Sequence, residues 1–101
     1  MLMYKILFFL NKNDDENAEK FFKTNFLDKL KDVTGTTINV ARVESNLLLE
    51  QKYDLYCEIS AASKEEMDKL MHTKAGKEFN KQLMNFHKNI TVIALNYNSE
   101  K

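Results

Sequence analysis

The chain has 101 residues, of which 44% are hydrophobic and 30% charged, a composition typical of one globular domain spanning residues 1–101. Fifteen basic residues balance fifteen acidic ones, so charge gives no reason to expect nucleic acid or a membrane surface as a partner. No apolar stretch reaches the roughly 20 residues that cross a bilayer. The single cysteine, Cys57, leaves no intrachain disulfide, and no signal-peptide cleavage site follows the apolar start, so we expect a cytoplasmic protein.

The first ten residues are apolar on both faces of a predicted strand. Side chains alternate along a strand, so one face carries Leu2, Tyr4, Ile6, Phe8 and Leu10. The other face carries Met3, Leu7 and Phe9, with Lys5 among them. A strand that is apolar on both faces must be covered on both faces.

The first half of the chain continues with a helix and a second strand. Apolar residues at steps of three and four predict an amphipathic helix over residues 15–33, which Gly35 ends in a left-handed cap. The β-branched segment 37–44 predicts the second strand. Residues 45–52 connect it to the third strand and contain Leu47, Leu48 and Leu49. These leucines fit either a loop that folds onto the core or a contact with a partner subunit.

The second half repeats the pattern of strand, helix and strand. Residues 53–60 predict a strand, and Ser63 with Glu66 forms a capping box for the helix that follows. Thr73 can cap a second helical piece, so residues 72–73 either break or kink this helix. Residues 90–97 predict a last strand that is again apolar on both faces.

The order β-α-β-β-α-β predicts an α+β fold, the ferredoxin-like arrangement with an antiparallel four-stranded sheet. Its right-handed crossovers place both helices on one side of the sheet. The other side carries Met3, Leu7, Phe9 and one face of the last strand, a larger apolar patch than soluble monomers usually expose. We therefore expect two sheets to pair face to face in a homodimer.

These residues resemble the dimeric α+β barrel superfamily, and within it the EthD-type proteins. The resemblance covers nearly the whole chain and is most specific over residues 73–79, Thr-Lys-Ala-Gly-Lys-Glu-Phe, which are similar to the family's Ser-Pro-Glu-Gly helix start. Asn85-Phe86 and residues 90–93 resemble the family's Asn-Phe motif and its last strand. The stress-responsive A/B barrel family is a close second, because its Tyr-Asp-Leu motif resembles Tyr53-Asp54-Leu55.

The resemblance implies a dimeric barrel, and its members include cofactor-free enzymes and small-molecule binders. Many EthD-type sequences carry a histidine late in the first helix and a proline two residues later, but Phe26 and Asp28 hold those places here. This departure puts any activity that needs the imidazole in doubt. The chain has no tryptophan and no histidine that matches a haem site, so no cofactor is expected.

The best candidates for a binding site lie on the sheet face away from the helices. Alternation places Lys5, Leu7 and Phe9 on that face of the first strand. It places Tyr56 and Glu58 there on the third, and these two strands are neighbours in this topology. Lys5 and Glu58 can therefore pair across strands, with Arg42 nearby. Such a pair is either part of a ligand pocket or a structural ion pair at the barrel mouth.

Other chemistry is less well supported by the sequence. His72 and His87 are 15 residues apart without metal-ligand spacing, so no metal site is expected, and each fits a helix C-terminus better than a general base. Cys57 fits a buried strand position better than a nucleophile. Tyr4 and Tyr56 could each contact a flat ligand through ring and hydroxyl.

Two functions follow from the sequence. The first is a homodimer that binds a small apolar molecule between its subunits and acts on it, if at all, as a cofactor-independent oxidative or degradative enzyme. The second is a non-enzymatic dimer of the stress-responsive A/B barrel type, filled by its own side chains, with a structural or interaction role.

Overall fold

The computed structural model describes residues 3–12, 15–44 and 52–97. Its elements in chain order are strand β1 (Tyr4–Asn11), helix α1 (Glu16–Phe21), a π-helical segment (Phe22–Phe26), helix α2 (Leu27–Thr34), strand β2 (Ala41–Arg42), strand β3 (Tyr53–Ala61), helix α3 (Lys64–Met71), helix α4 (Lys74–Asn85), a 3₁₀ turn (His87–Asn89) and strand β4 (Ile90–Asn96). The leucines of residues 47–49 lie outside the described residues, so their two interpretations stay open.

The four strands form one antiparallel sheet in the order β2-β3-β1-β4. This order confirms the predicted ferredoxin-like α+β fold. Strand β1 is central: it pairs with β3 from Tyr4 to Asn11 and with β4 from Tyr4 to Leu10. The two apolar faces of β1 therefore become the two faces of the middle of the sheet.

The helices cover one face of the sheet and build the core there. Phe8 and Leu10 of β1 are 1% and 0% exposed, and Leu55, Cys57 and Ile59 of β3 are buried beside them. The helices contribute further buried side chains, which are Ala18, Phe22, Phe26, Leu30, Val33, Met67 and Phe79. Burying each large apolar side chain contributes about 1.5–3 kcal/mol, so this layer holds the fold together.

The first helical region differs from the continuous α-helix that the spacing predicts. Asp15 caps it by accepting a hydrogen bond from the Asn17 backbone N–H at 2.9 Å, and Gly35 ends it with φ of 73°. Between these caps, Phe22–Phe26 forms a π-helical turn. Hydrogen bonds in such a turn span five residues instead of four, while the apolar spacing on either side stays close to that of an α-helix.

The second helical region breaks at residues 72–73, which decides between the two predicted alternatives. α3 ends at Met71, and the Thr73 hydroxyl accepts a hydrogen bond from the Gly76 backbone N–H at 3.0 Å to start α4. The serine half of the predicted capping box is present, since Ser63 Oγ accepts from the Glu66 N–H at 3.2 Å, while the Glu66 carboxylate binds Lys69.

Gly76 allows α4 to begin directly against the end of α3. A Cβ atom at this position would lie 2.4 Å from the Leu70 carbonyl oxygen and 2.5 Å from the Met71 carbonyl carbon. Both are backbone atoms, so neither can rotate away, and the two helices would have to separate. The Thr-Lys-Ala-Gly motif thus supplies a helix cap and a close helix contact.

We expect Gly76→Ala to lower the free energy of unfolding by about 1–3 kcal/mol, the usual cost of overpacking. Gly35→Ala is the comparison variant: nothing lies within 4 Å of its added methyl group, and only the left-handed backbone opposes it, at about 1–2 kcal/mol. Urea unfolding followed by circular dichroism measures both. A Gly76→Ala protein as stable as the wild type would contradict the close contact.

The prediction of a second strand over residues 37–44 is wrong in extent. Only Ala41 and Arg42 pair with β3, opposite Tyr56 and Leu55, and the Val43 N–H continues this edge by donating to the Asp54 carbonyl at 2.9 Å. Residues 37–40 follow the edge of β3 without strand pairing. β-branched residues favour a strand, but residues 37–40 form none because their backbone does not come close enough to β3 to pair with it.

Candidate functional site: the open face of the sheet

The sheet face away from the helices, here called the open face, is defined by the strand register. β1 contributes its odd-numbered residues, and their cross-strand partners lie on the same face. The central members are Lys5, Leu7, Phe9, Tyr56, Glu58, Thr91, Ile93 and Leu95. Ile93 pairs with Leu7 on the open face and is 39% exposed. Phe8, the next residue after Leu7, lies on the helix face and is 1% exposed. The predicted division of β1 into two faces is therefore confirmed.

Lys5 and Glu58 form the ion pair that the sequence predicts. Lys5 Nζ lies 3.1 Å from Glu58 Oε2, and the side chains are 26% and 37% exposed. Leu7 is the residue directly opposite Glu58, so the pair spans the strands diagonally across an apolar residue. At this exposure the pair stabilises the single chain only weakly, and its charge remains available to a ligand or partner.

Tyr56 completes a polar cluster with this pair. Burial, together with the nearby Glu58 carboxylate to which the hydroxyl is hydrogen-bonded, raises the pKa of the Tyr56 hydroxyl to about 12. The phenol therefore keeps its proton at neutral pH and acts as a hydrogen-bond donor. Lys5, Glu58 and Tyr56 together place a cation, a carboxylate and a phenol at the edge of an apolar surface.

Aromatic rings lie beside the polar cluster. The Phe9 ring lies 5.0 Å from the ring of Tyr56 and 4.6 Å from that of Tyr53. Tyr53 was not assigned to this face from the sequence. The β1–β3 register shifts between Leu10 and Asn11, so that Asn11 pairs with Tyr53. This irregularity turns Tyr53 toward the open face.

Arg42 does not lie near Lys5 and Glu58, and this prediction is wrong. Arg42 pairs with Leu55, whose side chain is buried against the helices, so Arg42 also points to the helix face. There its Nη2 binds the Glu19 carboxylate of α1. This contact, together with Lys23, lowers the pKa of Glu19. Arg42 is a helix-to-sheet contact and drops out of the candidate site.

Tyr4 is also on the helix face, where it packs at the margin of the core beside Ile6. It therefore does not share a surface with Tyr56. The open face instead offers Tyr53 and Tyr97 as additional phenol groups, and Tyr97 is 45% exposed at the end of β4. At the other end of the face, the Thr91 hydroxyl donates to Asn11 Oδ1 at 2.6 Å.

Cys57 and the two histidines occupy structural positions. Cys57 is fully buried on the helix face, and burial raises the pKa of its thiol to about 12, so it holds no reactive thiolate at neutral pH. His72 Nδ1 donates to the Asp68 carbonyl at 2.6 Å, and His87 Nδ1 donates to the Met84 carbonyl at 2.8 Å. Both histidines are thus engaged at helix ends.

We expect stability to fall in alkali, with Cys57 as one cause. The unfolded thiol loses its proton near pH 9.0, whereas the folded thiol keeps it until about pH 12. Between these values the unfolded state is favoured by ionisation, so the free energy of unfolding decreases as the pH rises. Cys57→Ala should show a shallower decrease between pH 9.0 and pH 10.0 in urea unfolding. Equal slopes for the two proteins would contradict this origin.

Among the described residues, no three His, Cys, Asp or Glu side chains come close enough together to hold a metal ion. No helix in the same part of the chain has the length and apolar character needed to cross a membrane. The open face therefore offers hydrogen bonding, one ion pair and apolar contact as its means of recognition.

Comparison with known proteins identifies the fold. No protein-family model and no curated protein matches the sequence. Among solved structures, an ethyl tert-butyl ether D (EthD) family protein from Bacillus halodurans C-125 superimposes with a TM-score of 0.77 at 23% identity, covering 92% of this chain and 96% of that one. A dimeric ferredoxin-like protein of unknown function from Jannaschia sp. CCS1 gives 0.63 at 15% identity, covering 92% and 97%. A hydroxynitrile lyase from Passiflora edulis gives 0.67 at 11% identity, covering 98% and 95%.

These structures agree with the resemblance found in the sequence. They share the arrangement of sheet and helices over nearly the full length of both chains, while sequence identity is too low to transfer an activity. The chain therefore has the ferredoxin-like α+β fold that these structures share.

Proposed function

We propose that the protein is a homodimer that binds a small, mostly apolar molecule between the open faces of its two subunits. The observation that carries this proposal is the open face itself, where Leu7, Phe9 and Ile93 form a surface without helices above it. Exposed apolar surface of this extent is typical of interaction sites. A similar fold in a protein described as dimeric supports a second sheet as the cover.

The polar cluster would orient the ligand. Covering the open face with a second subunit lowers the local dielectric and strengthens the interactions of Lys5 and Glu58. The Tyr56 hydroxyl, whose proton is bonded to Glu58, would accept a hydrogen bond from the ligand through its oxygen, and Glu58 would accept another. A cofactor-independent oxidative or degradative reaction would use Lys5 or Glu58 to bind or deprotonate the substrate. The hydroxynitrile lyase of similar fold supports the idea that this scaffold can host an enzyme.

Titration with N-phenyl-1-naphthylamine, an uncharged fluorescent probe, tests the binding site. We expect saturable binding to the wild-type dimer and an affinity about tenfold lower for Phe9→Ala, which removes the ring that contacts Tyr53 and Tyr56. Met84→Ala is the matched control, since Met84 is 70% exposed on α4. A dimer that takes up no probe, or equal affinities for all three proteins, would rule out the enclosed apolar site.

A second candidate is a dimer of the stress-responsive A/B barrel type with a structural role. The packing of Phe9 against Tyr53 and Tyr56 favours it, because these rings already occupy part of the open face. In this case the interior would be filled by the chain's own side chains. The two candidates differ in the titration above, since only the first has room for the probe.

The cytoplasm is the compartment that we propose for either function. The support for it is chemical: Cys57 is a free thiol, buried in the core, where it acts as a small apolar side chain. Proteins of reducing compartments commonly carry such unpaired cysteines.

A further inference from the structure

A cleft separates the edge of β3 from the chain between α2 and β2. Its volume is about 520 Å³, within the range of roughly 300–1,000 Å³ typical of small-molecule sites. It lies beyond the last pairing of β2 with β3, at Ala41 and Tyr56, where residues 37–40 follow β3 without joining it. The cleft is thus the space that a longer β2 would have closed.

The walls of this cleft combine hydrogen-bonding groups with an apolar base. Thr37, Asn39 and Ser60 are exposed, so their polar groups are accessible to a ligand in the cleft. Val40 and Leu70 are half-buried and give the cleft its apolar surface. Few polar groups placed around an apolar surface are typical of ligand sites.

The far wall of the cleft is fixed by local hydrogen bonds. The Thr34 and Thr36 hydroxyls lie 3.1 Å apart, and Thr34 Oγ1 also donates to the Leu30 carbonyl at 3.2 Å. These bonds tie the chain after Gly35 to the end of α2. The cleft is therefore complete within one protomer and does not depend on a dimer.

The charge of the cleft limits what can bind there. Among the described residues that line it, only Glu58 is charged, and its partner Lys5 is not part of the lining. An anion entering the cleft would meet the carboxylate. A cation would have to compete with Lys5, which already lies 3.1 Å from Glu58. An uncharged molecule is not repelled by Glu58 and does not have to displace Lys5.

The geometry points to this cleft as a binding site for a small uncharged molecule that carries a hydroxyl or carbonyl group on an apolar body. Thr37, Asn39 and Ser60 bond its polar group, and Val40 and Leu70 contact its apolar part. Glu58 excludes anionic analogues. Tyr56 and Glu58 belong both to the cleft and to the open face. A ligand in the cleft can therefore contact the polar cluster without entering the space between the two subunits.

Nuclear magnetic resonance titration of the backbone amides tests this site with benzyl alcohol, benzoate and benzylamine as probes of similar size. For benzyl alcohol we expect saturable shifts grouped at residues 36–41 and 58–60. Benzoate and benzylamine should each bind about tenfold more weakly. Glu58→Gln should bring the affinity for benzoate close to that for benzyl alcohol. Glu78→Gln, which alters the surface pair with Lys29, should leave the difference between the two affinities unchanged.

Scattered shifts, shifts confined to Leu7 and Phe9, or equal affinity for benzoate would overturn the cleft site. The same titration on Ile93→Lys, the variant expected to be monomeric, separates the two proposals. Binding at the cleft in both proteins supports the site whatever the oligomeric state. Loss of cleft binding in a folded monomer would show that the site is not complete in one protomer and would overturn it as stated.

Discussion

Ile93→Lys is expected to convert the proposed dimer into a folded monomer. Ile93 lies on the open face at the middle of the edge strand β4, opposite Leu7 of the central strand, and is 39% exposed in the single chain. In a face-to-face dimer each copy would bury one lysine, and a two-fold interface imposes the cost twice. Desolvating an unpaired charge costs several kcal/mol, so we expect the dimer dissociation constant to rise at least about a hundredfold.

Val92→Lys is a matched control for this change. Val92 precedes Ile93 on the same strand and is 42% exposed, but it pairs with Phe8 and so lies on the helix face. The two variants therefore add the same charge at neighbouring positions on opposite faces. We expect Val92→Lys to remain dimeric, because its side chain lies on the opposite face of β4 from the proposed interface and its charge stays in water.

Sedimentation velocity over a range of protein concentrations measures both variants, and circular dichroism checks that each is folded. Two results would contradict a dimer formed through the open face. One is a wild-type protein that stays monomeric at micromolar concentrations. The other is dissociation by Val92→Lys with Ile93→Lys still dimeric, which would place the interface on the other side of β4.

The parts of the site that alternation determines could be predicted from the sequence. Lys5 and Glu58 lie on strands that are neighbours in this topology, and the period of two puts both on the face opposite Phe8 and Cys57. The structure places their charged atoms 3.1 Å apart. Long strands with a clear apolar pattern fix their own register in this way, because a shift by one residue would expose the core.

The parts that depend on the register of short or irregular segments could not be predicted. β2 pairs over only two residues, and one step of register decides whether Arg42 or Ala41 shares the open face with Glu58. No apolar alternation in so short a strand fixes that step. Tyr53 depends on the irregularity between Leu10 and Asn11, which has no marker in the sequence.

The cleft was missed for a related reason. Residues 37–40 have the β-branched composition of a strand, and from composition alone they would close the edge of β3. Whether they pair is decided by the path of the chain after Gly35, where the left-handed cap and the Thr34–Thr36 contact set its direction. Local propensity is weaker than such a constraint.

Phe26 marks the place where the resemblance to EthD-type proteins and the structure can be compared most directly. The family often carries a histidine at this place, but here Phe26 is fully buried in the helix-side core. Its ring stacks on Phe22 at 5.0 Å and meets Phe79 edge-on at 5.1 Å and Phe8 at 5.5 Å. It points away from Lys5 and Glu58, so in this chain the position supports packing rather than the open-face site.

Phe26→Ala should therefore be among the most destabilising single changes in the protein. Removing a fully buried ring costs about 3–5 kcal/mol through lost burial and the cavity that remains, a large part of the 5–15 kcal/mol that stabilises a typical domain. Phe26→His should also destabilise the fold, because a buried imidazole would replace apolar contacts without a hydrogen-bond partner in the surrounding phenylalanines. Asn25→Ala, at the exposed neighbouring position, should stay within about 0.5 kcal/mol of the wild type.

Urea unfolding of the three variants and the wild type at one pH gives these differences, provided that the dependence on urea concentration stays the same. A Phe26→His protein as stable as the wild type would mean that the pocket supplies a partner for the imidazole, and the position would then be open to the chemistry found in relatives. A Phe26→Ala protein that loses less free energy of unfolding than the Asn25→Ala protein would contradict the role of Phe26 in an aromatic core. If both Phe26 variants are destabilised as expected, any activity of this chain must use groups other than that imidazole, and Lys5, Glu58 and Tyr56 are the ones that its open face provides.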